Sequence, residues 1–242
     1  LNQGHSHVDD VDDSDVRQIV ANGFIATTSA SCIATAEVVI ICVPTPLDGE
    51  LGPNLRAVED AARDIAKHLQ SGQLVVLEST TYPGTTEEVL VPILESSGLI
   101  AGQDFYVAYS PERIDPGNTR FTLRNTPKVV GGVTPLCTER AVDFYSQVVD
   151  EVVVSGGVKE AEMTKLLENT YRHINIALVN EMAQFCAELE IDLWDAIRCA
   201  STKPFGFSPF FPGPGVGGHC IAVDPWFIVS GDPSNSKIIN DE

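Results

Sequence analysis

The sequence is poor in basic residues and contains no long apolar run. Fifteen Lys and Arg stand against 34 Asp and Glu in 242 residues, which gives a formal net charge of −19. This charge repels phosphates and anionic lipids, so neither nucleic acid nor a membrane is expected as a partner. No apolar stretch reaches the roughly 20 residues of a membrane-spanning helix, and nothing near Leu1 resembles the basic and apolar regions of a signal peptide. We therefore expect a cytoplasmic protein.

Cysteine pairs with the spacing of metal or redox sites are also missing. A chain of this size does not need a disulfide framework, so reduced thiols are expected. Cys42 lies in an apolar strand pattern and Cys186 in a helical one, and both patterns favour core packing. The first fifteen residues carry several Asp and two His without a flanking scaffold. We interpret them as a solvated loop and expect no metal site.

Strand and helix patterns alternate from Ala36 onward. Apolar runs predict strands at 37–43, 73–78, 105–109, 128–130 and 151–154. Helical periodicity predicts helices at 54–69, 85–97 and 135–148. Thr85 and Glu88 have the spacing of a capping box at the start of the second of these helices. The alternation predicts an α/β fold with a mostly parallel, Rossmann-like sheet, which we assign to residues 1–156.

The pattern becomes purely helical after this domain. Residues 158–190 contain neither Gly nor Pro, and a helix of this length would extend about 50 Å at roughly 1.5 Å per residue. Such a rod is longer than the sheet needs, so we expect a homodimer that forms along it. A shorter helix is predicted at 192–200. We assign 157–229 to a central all-α dimerisation and catalytic domain and 230–242 to a tail.

A segment rich in Phe, Pro and Gly separates these helices from the tail. It reads KPFGFSPFFPGPGVGGHC at 203–220, a composition that excludes a helix or a central strand and predicts a shaped loop. Its glycines allow backbone N–H groups to approach an anion, and Cys220 follows them directly. Asp224 is near enough to assist a thiol if the turn is helical. Spacing alone leaves a structural turn with an incidental cysteine as an equal alternative.

Polar residues also stand one turn apart on the long helix. Lys165 and Asn169 have i, i+4 spacing, and Arg172 and His173 follow them, so these side chains share a face. By itself such a stripe usually faces solvent. Because the loop that contains Cys220 follows later in the chain, the alternative is that this polar face forms part of a catalytic site.

Five motifs in this order resemble the UDP-sugar and GDP-mannose 6-dehydrogenases, over Leu1 to about Val229. They are ICVPTPLD at 41–48, ESTTYPGT at 78–85, SPERIDPG at 110–117, EMTKLLENTYR at 162–172 and GPGVGGHCIAVDPWF at 213–227. The resemblance implies NAD as cofactor and oxidation of a sugar CH2OH to a carboxylate, for polysaccharide biosynthesis. The motifs are similar to those of the branch that acts on UDP-N-acetylhexosamines. They favour UDP-N-acetylmannosamine over UDP-N-acetylglucosamine or UDP-glucose.

The resemblance also implies the catalytic roles of individual residues. Cys220 attacks the aldehyde formed by the first oxidation, giving a thiohemiacetal that is oxidised to a thioester and then hydrolysed. Lys165 and Asn169 stabilise the oxyanion, and Asp224 assists proton transfer. Glu112 activates the hydrolytic water. The further catalytic residue is Thr80, which holds a water near Glu112.

Binding residues follow from the same motifs. The implied cofactor contacts lie at the carboxyl ends of strands, where open α/β sheets bind ligands, and are Val43, Pro44, Thr45, Thr80 and Glu112. The implied substrate contacts supply cations, amides and flexible backbone for a UDP-sugar, and are Arg113, Lys165, Asn169, Arg172, Gly215, Gly217 and Gly218.

Two parts of the family pattern are missing from the sequence. No strand with a G-x-G-x-x-G turn precedes the first predicted strand, and no UDP-binding domain follows the WF pair. We therefore expect a segment of a longer polypeptide that by itself binds NAD weakly. Two alternatives stay open: a two-domain dehydrogenase that transfers two electrons without a cysteine, and a catalytically inactive dimerisation or binding module.

Overall fold

The computed structural model describes residues 1–8, 11–115, 117–216, 221–231 and 236. Helix α1 spans Asp13–Ala21, and a 3₁₀ helix spans Ala30–Thr35. The prediction of a solvated loop over the first fifteen residues is therefore wrong from Asp13 onward. Asp13 and Asp15 lie in the first turn of α1, where a carboxylate interacts favourably with the helix dipole.

Five strands form one sheet in the order β1-β2-β3-β4-β5. Their bounds are Val38–Ile41, Leu74–Leu77, Tyr106–Tyr109, Lys128–Gly132 and Val152–Val154. The β3–β4 pair is antiparallel and the other pairs are parallel, which confirms the predicted mostly parallel α/β sheet. β4 is longer than predicted, because Gly132 has no Cβ to clash with the backbone of Cys137 and Thr138. The start of the next helix can therefore pack directly against the strand.

Helices cover both faces of the sheet. Helix α2 spans Arg56–Ala66, a π-helical turn at Thr86–Leu90 continues into α3 at Val91–Glu95, and α4 spans Pro135–Tyr145. Alternate strand residues point to opposite faces, so Val75 and Leu77 pack with α2 and α3 while Val76 packs with α4.

The predicted capping box at Thr85 is wrong. Thr85 already has helical backbone angles, φ −57° and ψ −41°, and makes no side-chain cap. Glu88 instead accepts a hydrogen bond from Lys159 Nζ at 2.9 Å. The backbone N–H groups of Gly84 and Thr86 donate to Glu162, which reaches them from a distant helix. A buried carboxylate has thus replaced the local cap.

The helical part of the chain begins with α5, Val158–Glu188, close to the predicted length. Its first turns are buried against the sheet through Val158, Ala161 and Leu166. Helix α6, Leu193–Ala200, is capped by Asp192, whose Oδ1 accepts from the N–H groups of Trp194 and Asp195. Residues 203–216 contain no helix or strand, as the Pro and Gly content predicts. Among the residues described, no helix is both long and apolar enough to cross a membrane.

Besides α1 and the 3₁₀ helix, one further helix was not predicted. Helix α7 spans Asp224–Gly231 and packs against α5, with Asp224 and Phe227 buried. Its first residue is the carboxylate that the sequence placed four positions after Cys220. This packing brings the beginning of α7 to the same edge of the sheet as the ends of β1 and β2.

Candidate active site

A cavity of about 380 Å³ opens at the carboxyl ends of β1 and β2. The loops after these strands, 42–46 and 78–80, form one wall. Glu112, Lys165 from α5, and Val223 with Asp224 at the start of α7 complete the lining. Five segments that are far apart in sequence therefore meet at the edge where open α/β sheets bind ligands.

Hydrogen bonds join the two strand-end loops. Thr45 Oγ1 donates to the Thr80 carbonyl at 2.7 Å, and Ser79 Oγ donates to the Val43 carbonyl at 2.7 Å. Each loop therefore satisfies a polar group of the other, and the two loops are held together as one wall. All the residues for which the resemblance implied cofactor contacts line the cavity. They are Val43, Pro44, Thr45, Thr80 and Glu112.

Lys165 reaches this wall from α5. Its Nζ donates to Thr80 Oγ1 at 2.6 Å, so the ammonium group is directed into the cavity. One helical turn further on, Asn169 Nδ2 donates to Asp224 Oδ2 at 2.5 Å. Asp224 is only 3% exposed and lies in the first turn of α7. The two polar side chains of α5 thus connect it to two different walls of one site.

Glu112 lies in the loop after β3 and contacts a lysine. Lys128 Nζ is 3.0 Å from Glu112 Oε2, and the Ile114 N–H donates to Glu112 Oε1 at 2.8 Å. Burial alone would raise the pKa of Glu112, but the Lys128 ammonium and the Ile114 N–H outweigh it and lower the pKa below its usual range. Glu112 is therefore a carboxylate at neutral pH.

Lys128, Glu78 and Tyr145 belong to this site and were missed in the sequence. Lys128 Nζ is 3.1 Å from Glu78 Oε1, and the Tyr145 hydroxyl donates to the same oxygen at 2.5 Å. Burial and the Glu78 charge raise the pKa of Tyr145, so its hydroxyl stays protonated. The sequence did contain a signal for this cluster, since Lys128 begins an apolar strand. A lysine buried in that position needs a carboxylate partner.

The core-packing prediction holds for Cys186, which is buried, and is wrong for Cys42, which is exposed and lines the cavity. The physical reason is that β1 ends at Ile41, so Cys42 already belongs to the loop at the strand end. Its Sγ lies 3.7 Å from Glu78 Oε2. Desolvation and the Glu78 charge raise the pKa of the thiol to about 11, which makes Cys42 a poor nucleophile.

The remaining candidate residues are placed differently. Arg113 forms a two-pronged ion pair with Glu168 of α5, at 3.0 and 2.6 Å, and also donates to the Pro127 carbonyl at 2.9 Å. Arg172 is exposed on α5, and Gly215 lies in the loop with φ +140°. Gly217, Gly218 and Cys220 lie outside the described residues.

The strand-end cavity fits part of a nicotinamide cofactor. Its volume is within the range of about 300 to 1,000 Å³ that is typical of small-molecule sites. Val43 and Pro44 offer apolar contacts for a planar ring, and Thr45 offers a polar group beside them.

Comparisons with known proteins agree with this geometry. Residues 1–149 match the NAD-binding domain of the UDP-glucose/GDP-mannose dehydrogenase family, and residues 159–237 match its central domain. The UDP-N-acetyl-D-mannosamine dehydrogenase of Escherichia coli K12 is 40% identical over 247 residues, covering 99% of this chain and 58% of that protein. The Campylobacter jejuni protein of the same name is 39% identical over 248 residues, covering 99% of this chain and 60% of that protein. The chain thus spans less than two thirds of these relatives.

Solved structures have the same fold. The UDP-N-acetyl-mannosamine dehydrogenase of Pyrococcus horikoshii has a TM-score of 0.92 and 36% identity, covering 99% of this chain and 57% of that one. The native structure of the UDP-N-acetyl-mannosamine dehydrogenase of Staphylococcus aureus has a TM-score of 0.83 and 33% identity, covering 99% of this chain and 58% of that one. The matched NAD-binding domain assigns NAD as the cofactor. The chain belongs to the UDP-glucose/GDP-mannose dehydrogenase family.

Proposed function

We propose that this chain carries the catalytic centre of a nucleotide-sugar 6-dehydrogenase. The substrate is a UDP-N-acetylhexosamine, with UDP-N-acetyl-D-mannosamine favoured, and its C6 hydroxymethyl group is oxidised to a carboxylate. The names of the similar proteins support this substrate class. The observation that carries the proposal is the meeting of Lys165, Thr80 and Asp224 in one cavity at the strand ends of an NAD-binding sheet.

The reaction removes four electrons in two oxidations. In the first, the C6 alcohol loses its hydroxyl proton and one C6 hydrogen with its electron pair, which leaves an aldehyde. The Cys220 thiol adds to that aldehyde, forming a C–S bond and a new hydroxyl group. The second oxidation converts this thiohemiacetal to a thioester, and water then breaks the C–S bond to release the acid and restore the thiol. NAD, when bound, supplies the acceptor for each electron pair.

The residues of the cavity stabilise charge and transfer protons in these steps. The Lys165 ammonium, held at 2.6 Å from Thr80 Oγ1, stabilises the negative charge that develops on the C6 oxygen. Asn169 orients Asp224, which transfers the proton of that oxygen. Glu112 is ionised at neutral pH and accepts a proton from the hydrolytic water, which Thr80 helps to hold.

The substrate diphosphate needs a cation in a chain of net charge −19. We assign this contact to Arg172, which is exposed, rather than to Arg113, whose donors already serve Glu168 and Pro127. Gly215, Gly217 and Gly218 would offer backbone N–H groups to the same diphosphate.

Counting the NADH formed per sugar tests the proposed reaction. The full-length protein with UDP-N-acetyl-D-mannosamine is expected to form two NADH for each acid produced. UDP-N-acetylglucosamine and UDP-glucose serve as competing substrates, and a Cys220→Ser variant is expected to bind NAD but to form no acid. One NADH per sugar would favour a two-electron dehydrogenase. An absence of turnover with every sugar would favour the inactive binding module.

We also propose a homodimer that forms along α5. Large apolar side chains stay exposed along one face of this helix at positions that repeat with the helical period. They are Leu167, Tyr171, Leu178, Met182 and Phe185, and Leu189 continues the series at the C-cap of the helix. A contiguous apolar surface of this kind marks an association site, and a second copy would present the same face.

The mass of the chain in solution tests this interface. The wild-type chain is expected to have twice the 26.0 kDa mass of one chain. The Phe185→Glu variant is expected to have the mass of a monomer, because dimerisation would bury its charge between the helices. Gln184→Glu adds the same charge outside the apolar face and is expected to leave the dimer intact. A wild-type chain that sediments as a monomer at high micromolar concentration contradicts the proposed interface.

A further inference from the structure

Lys128 is a buried cation between two carboxylates. Its side chain is only 5% exposed, and its Nζ lies 3.1 Å from Glu78 and 3.0 Å from Glu112. Removing an ammonium group from water is costly, and here two opposite charges compensate for it. Lys128 begins β4, so the strand sets the position of its backbone while the carboxylates set the direction of its side chain.

The Glu78 side of this cluster is rigid. Glu78 follows β2, is 12% exposed, and accepts the Tyr145 hydroxyl from α4 on the oxygen that also contacts Lys128. The Lys128 ammonium lies 5.4 Å from the centre of the Tyr145 ring, a cation–π distance. Glu78 after β2 and Tyr145 on α4 therefore hold the ammonium group from one side. The remaining ion-pair contact of Lys128 is with Glu112.

The Glu112 side faces the cavity. Lys128 contacts Oε2, and the Ile114 N–H occupies Oε1. The neighbouring residue, Arg113, is attached to α5 through Glu168 and to the residue before Lys128 through the Pro127 carbonyl. The loop that carries Glu112 is thus fixed between β4 and α5.

We propose that Lys128 is a positioning residue for Glu112, which it keeps ionised and directed into the cavity for the hydrolysis of the thioester. In this step the water oxygen bonds to the thioester carbon, Glu112 takes one water proton, and the C–S bond breaks with its electron pair left on sulfur. The inference rests on the proposed function. Lys165, the other lysine near the cavity, donates to Thr80 and serves the oxidations, so the two cations have separate tasks.

The charged and titratable groups around Glu112 come from every element at this edge. Lys128 is on β4, Glu78 follows β2 and Cys42 follows β1, while Tyr145 is on α4, Lys165 on α5 and Asp224 on α7. Of these, Lys128 is the cation in contact with the carboxylate. Its removal should therefore shift the Glu112 titration more than any change elsewhere.

An NMR titration of the Glu112 carboxyl carbon in the whole 242-residue chain tests the inference. In the wild type the pKa of Glu112 is expected to lie below the usual glutamate range. Lys128→Gln, which keeps a donor and removes the charge, is expected to move the titration to higher pH, and Lys128→Arg is expected to restore it. Lys159→Gln removes an exposed lysine that pairs with Glu88 and is expected to change nothing.

Two outcomes would overturn the inference. The first is a wild-type Glu112 that titrates at or above the usual glutamate range, which decides the matter even if Lys128→Gln does not fold. The second is a folded Lys128→Gln chain with an unchanged Glu112 titration. In the full-length protein, Lys128→Gln is also expected to shift the acidic limb of acid release to higher pH. A count of one NADH per sugar would contradict the proposed four-electron reaction. It would not affect the titration result, which tests only the contact between Lys128 and Glu112.

Discussion

Replacing Lys165 with methionine in the full-length protein is expected to lower the rate of sugar oxidation about 100- to 1,000-fold, the usual effect of losing one oxyanion-stabilising group. Methionine keeps an unbranched apolar side chain, so the packing of α5 is preserved while the charge beside Thr80 is lost. The rate is measured as NADH formation at saturating sugar and NAD. NAD affinity, measured separately by fluorescence, is expected to change little.

Lys159→Met is the matched control for this prediction. Lys159 lies on the same helix, is half exposed, and pairs with Glu87 and Glu88 away from the cavity. We expect it to retain the wild-type rate. Equal losses in both variants would indicate a general charge effect on an acidic chain, and an unchanged rate in Lys165→Met would remove Lys165 from the catalytic role.

Replacing Glu162 with alanine is expected to lower the free energy of unfolding by about 3 kcal/mol or more, because a buried donor without a partner costs roughly 1 to 3 kcal/mol. Glu162 is fully buried and accepts from the Gly84 N–H, the Thr86 N–H and the Thr86 hydroxyl. These donors begin the π-helical turn and follow the loop that carries Thr80. The loss is measured by urea unfolding of the chain.

Glu160→Ala provides the comparison on the same turn of α5. Glu160 is exposed, and its removal is expected to change stability by less than about 0.5 kcal/mol. Burial raises the pKa of Glu162 above its ordinary 4.5 despite the three donors. A carboxyl with a raised pKa contributes stability at low pH that is lost as the pH rises through the folded pKa. A Glu162→Ala chain as stable as the Glu160→Ala chain would show that solvent satisfies the three donors.

Glu162 and Lys165 together show how one helix organises the site. They lie three residues apart on α5, and the first holds the start of the π-helical turn while the second contacts Thr80 just before it. A change in either residue should therefore affect the loop after β2. The two are distinguished because the loss of Glu162 lowers stability, whereas the loss of Lys165 lowers rate.

Local patterns in the sequence predicted most of the fold. The strands β1, β2, β3 and β5 lie within their predicted ranges because each is a short apolar run between turn residues. The long helix was predictable because it contains neither Gly nor Pro. One kind of error occurs where a distant residue competes with a local one, as at Thr85, whose expected role as a cap is taken by Glu162 from 77 positions away.

The sequence by itself determined the family, the α/β class and the candidate side chains, because motif residues and hydrophobic periods are properties of neighbouring positions. Only the tertiary structure decided which of them meet. It joined Lys165 to Thr80, paired Arg113 with Glu168, exposed Cys42, and placed Lys128 between two glutamates. The physical reason is that charge compensation depends on distances of about 3 Å between side chains, and spacing along the chain does not specify such distances between separate elements.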